Sequence, residues 1–156
     1  MSHVVQFLVG RGAEVNIANH RVFTALLLAA GAGDYEIVEL LLSKANVELK
    51  AHDGKTALHM AATENQADVA KLLLDKGHAE TESRDEQNWT ALHWATQRGH
   101  GTITKVLLDN GADPEAKDNE GFIPRQRAEN QGHTQVLEVL EEYQRSRDER
   151  LGSGSV

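Results

Sequence analysis

The chain has 156 residues, 16 of them basic and 24 acidic, for a net charge of −8, which argues against nucleic acid or an anionic membrane surface as partner because both require a basic footprint. It has no cysteine, so disulfides and thiolate chemistry are excluded, and its most apolar run, Ala25 to Ala32, is far too short to span a bilayer. No basic-then-apolar signal peptide opens the chain, and the expected setting is intracellular, cytoplasmic or nuclear.

In chain order, Val4-Val5-Gln6-Phe7-Leu8-Val9 is a short apolar helix, followed by the loop Gly12-Ala13-Glu14-Val15-Asn16. Next comes Thr24-Ala25-Leu26 with Ala29-Ala30, opening a helix over roughly Ala25 to Ala32 whose small residues permit close stacking. Asp34-Tyr35-Glu36 suits the positive end of a following helix, and Ile37, Val38, Leu40, Leu41 and Leu42 supply its apolar stripe. The fullest unit runs from Gly54-Lys55-Thr56-Ala57-Leu58-His59-Met60-Ala61-Ala62 to Val69-Ala70-Lys71-Leu72-Leu73-Leu74-Asp75-Lys76-Gly77. Another copy is Thr90-Ala91-Leu92-His93-Trp94-Ala95, Gly99-His100, Val106-Leu107-Leu108 and Gly111-Ala112-Asp113. A degraded copy, Ile123-Pro124-Arg125-Gln126-Arg127-Ala128 with Gly132-His133, leads into a last helix with Val136, Leu137, Val139, Leu140 and Tyr143. Thr24, Thr56, Thr90 and Ile123 are equivalent, at spacings of 32, 34 and 33 residues.

A period near 33 carrying this motif, with a trailing Gly-Ala-Asp, resembles the ankyrin-repeat family over roughly residues 4 to 143. The resemblance implies an all-α solenoid of stacked helix-turn-helix units with projecting turns. It divides the chain into a half repeat (1–18), four repeats (19–50, 51–84, 85–117 and 118–143), and a helix extension with a flexible Gly/Ser tail (144–156). The half unit lacks its first helix, so Val4, Val5, Phe7 or Leu8 is expected at an exposed edge. Val22 replaces a turn Gly, and a β-branched residue resists positive φ, so that turn must differ or carry strain. Asn88 tolerates the left-handed conformation at the same position, and the loop after repeat three carries one extra residue, most simply His78. Arg125, Gln126, Arg127 and Glu129 replace buried-type residues, as the polar outer face of a C-terminal cap requires. On the last helix, Glu141 and Arg145 are spaced to pair.

No sequence pattern points to catalysis. There is no P-loop, G-x-G-x-x-G, H-E-x-x-H or G-x-S-x-G, and His20, His52 and His78 are too scattered for a metal site. His59 and His93 stand at the His of the family motif, where the resemblance implies bonds to the Thr hydroxyl and the neighbouring turn. His100 and His133 are read as structural too. Asn16 matches the loop residue that hydroxylases modify in some members, while the other loops carry Glu48, Thr81 and Glu115 there.

The resemblance implies a non-enzymatic module, without cofactor or metal and expected to be monomeric, that binds another protein through its concave face and projecting turns. The surface residues are His20, Arg21 and Phe23; His52, Asp53, Lys55, Thr63 and Glu64; Glu86, Gln87, Trp89, Gln97 and Arg98; and, in repeat five, Asn119, Glu120, Phe122, Asn130 and Gln131. Phe23, Trp89 and Phe122 share one motif position, with Lys55 in the remaining copy, and are read as a ridge of aromatic anchors. Trp89 is accordingly expected to be substantially exposed, and Trp94, inside a first helix, largely buried. The alternative is an engineered or excised scaffold of this family with no selected partner.

Overall fold

The computed structural model describes residues 2–154; Met1, Ser155 and Val156 lie outside the described residues. Its elements are all helical: α1 (Ser2–Gly10), α2 (Ala25–Ala32), α3 (Tyr35–Leu42), α4 (Ala57–Thr63), α5 (Ala67–Asp75), α6 (Ala91–Arg98), α7 (Gly101–Asp109), α8 (Pro124–Gln131) and α9 (Thr134–Gly152). They stack in two layers. The first helices α2, α4, α6 and α8 pack in succession, and the second helices α1, α3, α5, α7 and α9 form the other layer. Repeat two is thus α2–α3, repeat three α4–α5, repeat four α6–α7 and repeat five α8–α9.

Local chemistry sets each helix boundary. The Thr24 hydroxyl accepts from Leu27 N–H at 3.3 Å, and the Asp34 carboxylate accepts from Ile37 N–H at 3.2 Å, so both are side-chain N-caps. First helices end in a left-handed residue: Gly33, Gly99 and Gly132, with Asn65 at φ 58° in repeat three. The helices are short, so burial between neighbours supplies their stability. Leu27, Leu41, Leu58, Leu73, Leu92, Ile103 and Leu107 are all fully buried, with alanines 30, 57, 61 and 95 letting the first helices approach closely.

The projecting turns repeat one design. Asn19, Asp85 and Asp118 each accept two backbone N–H bonds through Oδ1, from residues two and four further on. Each turn then passes through positive φ, at Val22 (62°), Gly54 (81°), Asn88 (61°) and Gly121 (84°). Val22 therefore takes the strained option of the two expected for it, while Asn88 is accommodated as its type allows. His78, the extra residue, adopts φ 53°.

On the opposite edge, the loops lock together. Asn16 Oδ1 accepts from Asn46 N–H (2.8 Å), Glu48 Oε1 from Glu80 N–H (3.0 Å) and Glu82 Oε1 from Asp113 N–H (2.9 Å). This register corrects one assignment: the extra residue shifts the counterpart of Asn16 in repeat three to Glu82, not Thr81. Asn16 itself is a loop-to-loop clasp.

The edge residues Val4, Phe7 and Leu8 are exposed, and Val5 is half-buried. In α9, Val136 and Leu140 are buried, and Leu137, Val139 and Tyr143 half-buried. Glu141 pairs with Arg125 of α8 at 3.0 Å rather than with Arg145. Of the Gly-Ser tail, Gly152 closes α9.

Candidate protein-interaction surface

Two sets of imidazoles tie repeat to repeat and hold the turns in place. His59 is buried; its Nε2 lies 2.9 Å from the Trp89 carbonyl, and its Nδ1 2.8 Å from Thr56 Oγ1 and 3.2 Å from Thr56 N. A carbonyl can only accept, so Nε2 carries the proton and Nδ1 accepts from Thr56 N–H. His93 repeats this with the Phe122 carbonyl (3.2 Å) and Thr90. Burial pushes both imidazoles below the ordinary value of 6.5, against the carbonyl bonds, which favour the charged form. The bonds that Nδ1 accepts from Thr56 and Thr90 N–H thus require neutral rings, and each forward Nε2–H bond aims at the carbonyl of a ridge aromatic. In repeat five, Gln126 Oε1 accepts from Ile123 N–H at 3.0 Å and replaces the imidazole within its own turn. His100 and His133 reach backwards, to the carbonyls of Thr63 (3.2 Å) and Gln97 (3.0 Å).

The ridge itself differs from the expectation. Trp89 and Trp94 are both half-buried, with ring centroids 4.7 Å apart and planes tilted by 55°. Trp89 is therefore less exposed, and Trp94 less buried, than the sequence position of each implies. The reason is Asp85. Its Oδ1 holds the turn, and its buried Oδ2 accepts from the Trp94 indole N–H at 2.7 Å, drawing that ring out of the first helix and onto Trp89.

Cations complete the cluster. Lys55 Nζ lies 4.1 Å above the Trp94 ring and 2.9 Å from Asp53 Oδ2. Burial acts to raise the Asp53 carboxyl, but Lys55 outweighs it and holds it below 3.8. The Arg127 guanidinium sits 4.9 Å from the Trp89 ring centre and 4.6 Å from that of Phe122. It donates to Asp118 Oδ2 from Nε (2.8 Å) and Nη2 (2.5 Å), and to Glu120 at 3.0 Å. The Asp118 side chain is fully enclosed, yet these bonds and the N–H groups of Phe122 and Glu120 overcome burial and keep its carboxyl below 3.8. This corrects the assignment of Arg127 to a solvated cap face: its side chain is only 13 % exposed.

The structure thus joins Lys55, Trp89 and Phe122 of the expected surface, with Asp53, to Trp94, Arg127, Asp85 and Asp118, which sequence reasoning missed. A signal was present: Asp85–Trp94 and Asp118–Arg127 share a nine-residue spacing. Phe23 packs half-buried against the core, apart from this row. His20, Arg21, His52, Glu86, Gln87, Asn119 and Glu120 are exposed on the turns, and Glu64, Arg98, Asn130 and Gln131 at first-helix ends. Thr63 and Gln97 are half-buried, their carbonyls engaged by His100 and His133.

Among the described residues, no group of three or more His, Asp or Glu side chains could hold a metal ion, and no helix is long and apolar enough to cross a membrane. Stacked helix pairs with a hydrogen-bonded row of turns along one edge define a helical-repeat solenoid. The family model for ankyrin repeats, in three copies, matches residues 1–85 and 77–147, and the chain belongs to the ankyrin-repeat family. Ankyrin repeats are in general protein–protein interaction modules, and the fold is typically non-enzymatic. No curated protein matches the chain.

Proposed function

We propose that this chain is a non-enzymatic, monomeric module that binds another protein through the projecting turns and first-helix surface of repeats two to five. The observation carrying this reading is the row Lys55–Trp94–Trp89–Arg127–Phe122. Its two tryptophans are only half-buried, although most of the core beside them is fully enclosed. Covering such rings is favourable by roughly 25 cal/mol per Å² of apolar area, and aromatic anchors dominate interface energetics. The turns carrying Trp89 and Phe122 are also rigid before binding, because each is fixed by an Asp and by an imidazole from the preceding repeat, so little ordering entropy opposes association.

The test is a comparative capture from lysate. The wild-type chain should retain one or more proteins that Trp89→Ala and Phe122→Ala lose and that Glu141→Ala, on α9, keeps. Equal capture by all four chains moves binding off this surface. No specific capture by any of them favours the scaffold without a selected partner.

A further inference from the structure

Five side chains from three repeats form one stack: Lys55 over Trp94, Trp94 on Trp89, Arg127 over both Trp89 and Phe122. Four carboxylates touch it: Asp53 on Lys55, Asp85 on the Trp94 indole N–H, and Asp118 and Glu120 on Arg127. Two cations against four carboxylates leave the row negative by two charges. Asp85 is the clearest source of the surplus. It is 7 % exposed and held by the N–H groups of Gln87, Trp89 and Trp94, and no cation pairs with it among the described residues. Exposed Glu86 on the Trp89 turn and exposed Glu64 at the end of α4 carry the sign of the surplus, and Arg98 at the end of α6 the opposite one.

The ring faces accept cations, since the negative face of an aromatic ring attracts an ammonium or guanidinium, and two are already in place. We propose that the partner contacts this row with a basic segment, whose arginine or lysine side chains take over the Trp89 and Phe122 faces from Arg127 and neutralise the surplus carboxylates. The proposal rests on the interaction surface inferred above and specifies its chemistry. Arg127 is then an internal placeholder. It keeps the rings covered in the free protein, and a partner's cation replaces like with like. An acidic segment meets the wrong field, and it brings no cation to replace the one it draws away from Asp53 or Asp118. A neutral segment leaves the Asp85 charge uncompensated under a newly dried surface, which is costly.

The experiment titrates the full chain with a synthetic peptide of alternating arginine and glycine, and with its glutamate counterpart, following tryptophan fluorescence at low and high salt. The arginine peptide should saturate the signal, weaken as salt rises, and bind Arg127→Ala about tenfold more tightly, the worth of one displaced ring–cation contact. Trp89→Ala should abolish the response. The double charge reversal Glu64→Lys with Glu86→Lys alters only exposed side chains, so it tests the electrostatic half even if Arg127→Ala is poorly folded; it should weaken binding about tenfold. Equal or tighter binding of the glutamate peptide, or indifference of the arginine peptide to the charge reversal, overturns the proposal. If capture from lysate still depends on Trp89 in that case, the surface stands and its basic partner falls; loss of both removes the surface itself.

Discussion

The guanidinium carbon of Arg127 lies 4.9 Å from the centre of the Trp89 ring in the preceding repeat. Arg127 occupies in repeat five the position that Trp94 occupies in repeat four, and each donates to the Asp nine residues before it. A guanidinium is flat, carries its donors in its own plane and stacks on aromatic faces, so it performs both tasks of the indole.

Replacing Arg127 should therefore separate shape from charge. Arg127→Ala leaves Asp118 enclosed without its cation, and a loss of about 2–4 kcal/mol is expected. Arg127→Trp restores a planar N–H donor of the kind Asp85 already accepts, and should recover at least half of that loss. Urea midpoints of the two variants check this. Equal destabilisation by both would mean that the indole cannot stand in for the guanidinium.

Each buried imidazole should have a measurable stability cost when removed. His59→Leu deprives Thr56 N–H and the Trp89 carbonyl of their partner, for an expected loss of about 1–3 kcal/mol. Repeat two supplies the precedent, with fully buried Leu27 at the equivalent position. Denaturation of His59→Leu at neutral pH is the measurement, and an unshifted midpoint contradicts the linking role.

Acid should weaken the fold in two stages. In the unfolded chain His59 and His93 titrate near 6.5, whereas in the fold burial keeps them neutral below that value. Below pH 6.5 the unfolded state therefore binds more protons, and stability declines as pH falls. Asp53 and Asp118 are shifted in the same direction and add to the loss. Their folded carboxyls lie below 3.8, so their contribution is intact above that value and disappears as pH drops through the carboxylate range. Stability measured across pH should show an upper phase that the double variant His59→Leu, His93→Leu lacks.

Val22→Gly should stabilise the chain. The left-handed conformation costs a β-branched residue about 1–2 kcal/mol, and the greater freedom of unfolded Gly returns part of that, for a net gain of about 1 kcal/mol. Asn88→Gly, at the same turn position, should be close to neutral. Thermal melting of the two variants decides between strain at Val22 and a turn that tolerates it.

The repeat architecture was legible because the physics that fixes it is local: a period, a Thr at three of the four first-helix N-caps, and in all turns but that of Val22 a residue able to adopt positive φ. The imidazole bonds were equally legible, since a buried His must find partners and its motif position names them. What the sequence concealed is where polar residues point. Arg125 and Arg127 read alike as solvated, yet Arg127 turns inward because Asp118 and two ring faces await it, while Arg125 spans outward to Glu129 and Glu141. The half-burial of Trp89 was hidden for the same reason: it depends on Trp94 and Arg127, neither of which is local to its turn.

The bonds between turns are unevenly placed along the stack. Glu86 N–H donates to the Asp53 carbonyl and Asn119 N–H to the Gln87 carbonyl, at 3.1 and 3.2 Å, so repeats three, four and five are sewn along the turn edge. No turn-to-turn hydrogen bond joins repeats two and three among the described residues. There the attachments concentrate on the loop side, where Glu48 accepts from Glu80 N–H and the Ser83 hydroxyl and Lys50 donates to the Arg84 carbonyl. Under a bending load the molecule is a stiff beam of three units with one compliant joint, pivoting on the loops and gaping at the turns. A partner wide enough to grip both the aromatic row and Phe23 would set the angle of that joint.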